Sequence, residues 1–386
     1  MGTCLEWAIT YDVYVNVNAP ALDGLHPKAM NPQESALHYP LGDDMPAAGS
    51  TRELAPGVRW IRLSLPFALD HINLWLLRDK QEGREGWTIV DCGIDRPESR
   101  QQWESLFANE LEGLPVLRVI VTHMHPDHVG LAHWICERWS NADHECRLWM
   151  SGTDFLLARV GCDRINGFGG EPLLRFLTEH GLNSPDKQQA LRERPPYFSS
   201  LVPALPRSFR RMTEGDCLEI DGRDWRCISG RGHSPEHIAL YCASLGVLIA
   251  GDMVLPRIST NVSVHEDEPE ADPLRHFLAS IDKYLPLPAQ TLVLPSHGKP
   301  FIGLHPRIGQ LHTHHDERLA EVMAVCREAP QSAADLLPLM FKRALDVNQL
   351  PIAMGEALAH LNLLWHEGRL LREFGKDRVW RFRAAD

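Results

Sequence analysis

The stretch "VTHMHPDHVG", Val121–Gly130, packs three histidines and an aspartate into a few residues: His123, His125, Asp127 and His128. It follows "LPVLRVI", a nearly all-apolar run of the kind that forms a strand buried on both faces. In an extended strand, neighbouring side chains point to opposite faces. A strand that ends in a turn lets them converge on one point instead. Imidazole suits zinc, iron and similar ions, and a carboxylate adds a hard negative ligand. The stretch reads as a cluster of metal ligands at the mouth of a strand.

Three more residues stand in like contexts. His233 follows "WRCISG" in "GRGHSPEH", Asp252 ends "GVLIAGD", and His297 ends "TLVLPSHG". Each is a polar residue that punctuates an apolar strand beside a glycine, and glycine lets backbone pass close to a site. One such histidine alone reads as an ordinary loop residue. Seven such groups, all at the same end of predicted strands, read as one constellation. His237, four residues after His233, reads as a packing or hydrogen-bonding group.

The rest of the chain organises around these strand ends. Residues 1–50 are rich in turn formers and read as an irregular N-terminal extension. "VRWIRLSL", "HINLWLLRD" and "GWTIVDCG" are short strands, and "PESRQQWESLFANELEG" has helical spacing with a glycine stop. "GLAHWICERW" reads as a helix and "CRLWMS" as a strand. From about 152 to 215 the text is mostly helical and reads as an insertion. Strands resume with "CLEIDGRDWRCISG", "HIALYCASLGVLIAGD" and "TLVLPSHG". Two strand-rich blocks separated by helices predict an α/β sandwich over residues 51–305, with helices covering both sheets.

Residues 306–386 read as a separate unit. "PRIGQLHTHHDERLAEVMAVC" is a connecting helix, with "THHDER" as a solvated face. Ser332 and Asp335 form a capping-box pattern before "LLPLMF". "PIAMGEALAHLNLLWHEG" is a second helix, with Pro at its start and Gly after its end. "LLREFGKDRVWRF" reads as a hairpin around Gly375.

"THMHPDH", "GHSPEH", "GD" and "SHG", in that order, resemble the metallo-β-lactamase superfamily over about residues 50–305. The resemblance is to its dinuclear hydrolase branch, which includes glyoxalase II, lactonases and lactamase-like endoribonucleases. It implies an αββα sandwich with the metals at one edge of the sheets. It implies that one ion takes His123, His125 and His233, and the other Asp127, His128 and His297, with Asp252 bridging both. The implied cofactor is two divalent metal ions, zinc first, with iron or manganese as alternatives. Two close ions can share a hydroxide, activate it at neutral pH and polarise the scissile carbonyl or phosphoryl group. Asp127 would also move the proton of that nucleophile. Groups behind the ligands should orient the imidazoles, and Asp91, which ends the strand "TIVDCG", is the expected one. The helix–helix–hairpin tail resembles the small winged-helix domain appended to some members of the superfamily.

Composition narrows the substrate. The chain has 386 residues and a formal net charge of −12, which does not suit coating nucleic acid or anionic membrane. No apolar run is long enough to span a bilayer. The opening "MGTCLEWAITYDVYVNVNAP" lacks the basic and apolar regions of a secretory leader. Nine scattered cysteines without CxxC read as reduced thiols in a cytoplasmic protein.

Three functions compete: a dinuclear hydrolase of esters, thioesters or lactones, a metal-dependent endoribonuclease, and a non-catalytic or redox member of the fold. The full ligand set argues against a degenerate binding module, and no flavodoxin-like segment follows. The acidic balance favours a small-molecule substrate over RNA, and the helix at 351–366 carries no Lys or Arg. Basic residues outnumber acids over 155–215, which suits an anionic small molecule such as a glutathione or CoA thioester. Arg207, Arg210 and Arg211 in "RSFRR" are expected at the pocket rim, contributing to substrate affinity. A homo-oligomer is left open.

Overall fold

The computed structural model describes residues 34–385, apart from 68, 164–167, 196 and 343. The expectations for residues 1–33 lie outside the described residues. Residues 34–50 are irregular but attached. Leu37 is buried in the core, and His38 exchanges backbone hydrogen bonds with Ile302.

The first sheet begins as an antiparallel meander: β1 (Arg52–Ala55), β2 (Val58–Ser64), β3 (His71–Gln81) and β4 (Arg84–Val90). Helix α1 (Pro97–Asn109) crosses over to β5 (Val116–Ile120), which pairs parallel with β4. A one-turn helix α2 (Pro126–Val129) and helix α3 (Ala132–Trp139) follow. They lead to β6 (Arg147–Met150), parallel to β5.

Helices α4 (Gly152–Cys162), α5 (Gly170–Glu179), α6 (Pro185–Glu193) and α7 (Tyr197–Leu201) fill the expected helical region. That region is not wholly an excursion. β7 (Phe209–Arg211) comes from "RSFRR" and pairs parallel with β6 as the seventh strand of the sheet. Three residues are too few to show a two-residue period, so this edge strand is silent in the pattern.

The second sheet contains β8 (Cys217–Ile220), β9 (Arg223–Gly230), β10 (His237–Cys242) and β11 (Val247–Gly251), joined antiparallel in chain order. Helix α8 (Pro273–Asp282) precedes β12 (Leu292–Pro295), which pairs parallel with β11. β13 (Phe301–Ile302) closes that edge.

Alternation along the strands sorts the side chains into three apolar layers. Trp225 and Cys227 of β9, Ile238, Leu240 and Cys242 of β10, and Val247 and Ile249 of β11 meet Trp60, Trp75 and Leu77 of β2 and β3 between the sheets. The opposite faces of β10 and β11, at Ala239, Tyr241, Leu248 and Ala250, pack outward against α8. Ile72, Leu74 and Leu76 of β3 pack outward against Trp103 of α1 and Ile135 of α3. Helix, sheet, sheet and helix stack in the αββα order. One ion pair sits inside the inter-sheet layer. Arg118 Nη2 lies 2.9 Å from Asp79 Oδ2 and donates to the Glu219 carbonyl of the other sheet at 2.7 Å.

Helix α9 (Leu304–Glu328) leads into α10 (Ala333–Met340), α11 (Gln349–His366) and the hairpin β14 (Leu370–Phe374) and β15 (Trp380–Ala384). The Ser332–Asp335 capping box is formed in both directions. The solvated reading of "THHDER" needs correction at His315. It is buried, with Phe277 of α8 and His360 of α11 against its ring. Helices α8, α9 and α11 share one apolar cluster, which covers the outer face of the second sheet.

Candidate metal centre

The strands deliver their polar ends to one edge. β5 runs into Thr122 and His123, and α2 starts at once with His125 as its N-cap and Pro126 at its first position. Proline fixes φ near its helical value, so the turn carrying Asp127 and His128 is stiff. β9 ends before His233, β11 before Asp252, and β12 before His297. All seven sequence-derived ligands converge here, five of them buried: His123, His128, His233, Asp252 and His297.

Two sets of donor atoms result. His123 Nε2 lies 2.9 Å from His125 Nδ1 and 3.1 Å from His233 Nε2, and His125 Nδ1 lies 3.1 Å from His233 Nε2. Asp127 Oδ2 lies 3.6 Å from His128 Nε2 and 3.4 Å from His297 Nε2. Asp252 stands between the sets. Its Oδ2 is 3.5 Å from both His233 Nε2 and His297 Nε2, and its Oδ1 is 3.5 Å from His128 Nε2.

For four of the imidazoles, a contact at the back fixes which nitrogen faces inward. His233 Nδ1 donates to the Asn261 carbonyl and His297 Nδ1 to the His71 carbonyl, each at 2.8 Å. His128 Nδ1 donates to Asp91 Oδ2 at 2.9 Å. His123 Nδ1 donates to Thr122 Oγ1 at 3.0 Å, and that hydroxyl donates to Asp91 Oδ2 at 2.9 Å. A carbonyl can only accept, and the Thr122 hydroxyl spends its proton on Asp91, so in His233, His297 and His123 the ring proton sits on Nδ1 and Nε2 is left with its lone pair. The Nε2 atoms of His123 and His233 therefore face each other with no proton between them. A cation among them relieves that repulsion. Among the described residues His128 Nε2 and Asp252 Oδ1 are buried without a hydrogen-bond partner, a second sign that the donor set fits a metal.

The description "Metallo-beta-lactamase superfamily" matches residues 68–154 and 165–297. The chain belongs to the metallo-beta-lactamase superfamily. A second description, "Metallo-beta-lactamase-like, C-terminal domain", matches residues 319–385. The crystal structure of a beta-lactamase domain protein from Burkholderia ambifaria is 53% identical, with a TM-score of 0.86, and covers 92% of this chain and 100% of its own. A metallo-beta-lactamase family protein from Thermus thermophilus, TTHA1429, is 28% identical, with a TM-score of 0.69, over 86% of this chain and 100% of its own. The probable metallo-hydrolase YqjP from Bacillus subtilis (strain 168) is 24% identical over 79% of this chain and 91% of its own. This superfamily member is a metal-dependent hydrolase with a mixed α/β fold.

The two donor sets of this superfamily member differ electrostatically. Burial first, then the neighbouring His233, pushes the His125 imidazole down to about 3. His123 is held well below its ordinary value by burial and by His128. His123 and His125 thus offer neutral lone pairs. In the second set burial opposes charge, but Asp252 and Asp127 prevail and push His297 up to about 10. The Asp127 carboxyl is held below its ordinary value although burial alone would raise it, because His128 and His297 outweigh burial.

Asp91 is buried with φ 62°, a left-handed conformation that Asp tolerates better than most residues. That turn aims both carboxylate oxygens at the loop after β5, and Oδ1 also accepts Thr122 N at 2.8 Å. His237 is buried beside His123, their ring centroids 5.2 Å apart, with no partner on either nitrogen among the described residues and outside both donor sets. Gly251, at φ 54°, makes room for it: a Cβ there would collide with His237 Nε2.

Other residues enter the site from outside the sequence reading. Asp154 of α4 is buried, and it accepts Met124 N on Oδ2 at 2.9 Å and Glu236 N on Oδ1 at 2.8 Å. It ties the loop of His125 to the loop of His233. Nothing beyond an acid in a first helical turn marks it in sequence. His71 and Asn261 act through carbonyls, which carry no side-chain signal.

All three arginines are exposed. Arg210 stacks on Trp149, its guanidinium 4.3 Å from the ring centroid, with Arg118 4.8 Å from the same ring. Arg211 packs its guanidinium against Gly152 at the start of α4.

Proposed function

We propose that the protein is a dinuclear metal-dependent hydrolase acting on an ester, thioester or lactone of a small anionic molecule. One observation carries the dinuclear reading: Asp252 Oδ2 is equidistant, at 3.5 Å, from a histidine of each donor set. His123, His125 and His233 would hold one ion, Asp127, His128 and His297 the other, with Asp252 shared. Bound divalent ions supply Lewis acidity for a carbonyl and acidify water near neutral pH. The chain's own part is to fix the ligands and manage a proton. Asp127 is the more open of the two carboxylates, with its side chain 20% exposed against 10% for Asp252. Its carboxylate can take a proton from the attacking water and return it to the leaving group.

Charge on the C-terminal elements supports a small substrate. The hairpin is rich in arginine, but Arg372 lies 3.1 Å from Glu270, Arg381 2.6 Å from Asp377 and Arg383 3.5 Å from Glu373. Paired arginines make a poor phosphate track. The helix–helix–hairpin order supports reading the tail as a winged-helix-like unit that packs on the sandwich instead of on nucleic acid.

The test is a panel of activated esters, lactones, thioesters and single-stranded RNA across a salt series. Wild-type protein, His123→Ala and the Arg207/Arg210/Arg211→Ala triple variant are compared. Metal analysis of protein purified without chelator should give two ions per chain. Hydrolysis of a small acyl substrate should vanish with His123→Ala and depend little on salt, and the triple variant should alter KM more than kcat. RNA cleavage lost with His123→Ala, without esterase activity, would promote the endoribonuclease.

A further inference from the structure

We infer that helix α11 is a working part of the metal centre, with Glu356 as a positioning residue that holds His233 in place through Asn261. The inference rests on reading His123, His125 and His233 as one metal site.

The ligands are anchored in unequal ways. His123 and His128 lean on Thr122 and Asp91, at the ends of β5 and β4. His297 leans on the carbonyl of His71, the first residue of β3. His233 leans on the carbonyl of Asn261, which lies in the irregular segment between β11 and α8. No strand ladder holds that segment, so its position must come from elsewhere.

It comes largely from α11. Val264 N donates to the Gly355 carbonyl at 3.0 Å, and Asn362 Nδ2 donates to the carbonyls of Pro269 and Ala271 at 3.1 and 2.9 Å. A Cβ on Gly355 would lie 2.8 Å from Ser263 Cβ and from the Val264 carbonyl oxygen, so only glycine lets the loop lie this close. Asn261 is where this template reaches the ligand. Its carbonyl takes the His233 proton, its Nδ2 donates to Glu356 Oε2 at 3.4 Å, and its Oδ1 accepts Ser263 Oγ at 2.8 Å. A carboxylate in the middle of an apolar helix is costly to bury unless a partner uses it. Here the partner is one hydrogen bond from a metal ligand. Groups behind a ligand tune metal affinity as well as activity.

The test uses the full chain loaded with zinc and titrated against a competing chelator, which yields a dissociation constant for each ion. Glu356→Ala should weaken one ion about tenfold and leave the other within about twofold. Glu356→Gln should stay near wild type, because its amide oxygen still accepts from Asn261. Asn261→Ala, an independent loop variant that leaves α11 intact, should reproduce the loss. The double variant should be no worse than either single one, since both break the same link. In an Asp127→Ala background the loss should persist, which places it on the His233 set. Unchanged affinities in both single variants, with two ions bound, would overturn this inference and leave the metal centre standing. Equal weakening of both ions would mark general destabilisation and overturn it too. Wild-type protein that takes up no metal would overturn this inference together with the reading beneath it.

Discussion

His128 and Asp91 form a fully buried pair, with Nδ1 of the imidazole 2.9 Å from Oδ2 of the carboxylate. The same carboxylate receives Thr122 N and the Thr122 hydroxyl. Three donors on one carboxylate lock both the His128 ring and the turn that carries His123. Asp91→Asn keeps the shape, but its NH2 group must face one of those donors. It should lower metal affinity or activity by about 10- to 100-fold, with the ion held by His128 lost first. Metal content after dialysis against a weak chelator is the measurement. Full retention of both ions would show that the pair is not what orients His128.

Gly251 and His237 yield a stability prediction. Gly251→Ala places a Cβ against a buried ring and forces alanine to φ 54°. The combined cost should be about 3 kcal/mol or more in thermal unfolding. His237→Ala in the same chain removes the collision but not the backbone strain. The double variant should therefore recover part of the loss, leaving about 1 kcal/mol from the left-handed backbone. No recovery would mean the collision is not the cause.

Glu356 should give stability a pH dependence. Burial pushes its carboxyl from the ordinary 4.5 up to about 7, against the opposing Asn261 hydrogen bond and Arg318. The folded chain therefore keeps a proton that the unfolded chain releases above pH 4.5. The resulting stability is present at low pH and is lost as pH rises through 7. Glu356→Gln cannot ionise, so it should gain on the wild type by about 2–3 kcal/mol between about pH 5 and about pH 8. Urea unfolding of both proteins across that range checks the sign. A gap that stays constant with pH would rule out titration of Glu356.

The candidate ligands are legible in sequence because each is polar, ends an apolar run and stands beside a turn. The sandwich is legible because its strands alternate or are wholly apolar. What stays hidden depends on segments that meet only after folding. His315 looks solvated along α9, and it is buried because α11 arrives from about forty residues downstream. Asp154 gains its role only when the loops of Met124 and Glu236 meet at its two oxygens. A lone charge inside an apolar element is a further signal that a sequence carries. Arg118 in "VLRVI" finds buried Asp79, and Glu356 in "PIAMGEALAHLNLLW" finds Asn261.

His123 belongs to one sheet and His233 to the other, and their Nε2 atoms end 3.1 Å apart across the seam. A chain with only its first sheet formed owns His123, His125, Asp127 and His128 but lacks His233, Asp252 and His297. Each donor set is then short of a member, and a depleted set binds metal weakly. On the proposed metal-bound reading, affinity is gained only when the ligands are gathered, so capture of an ion would be tied to closure of the sandwich. The layout would then work as an assembly checkpoint: a reactive ion would be retained only by a molecule that has already built the walls confining it.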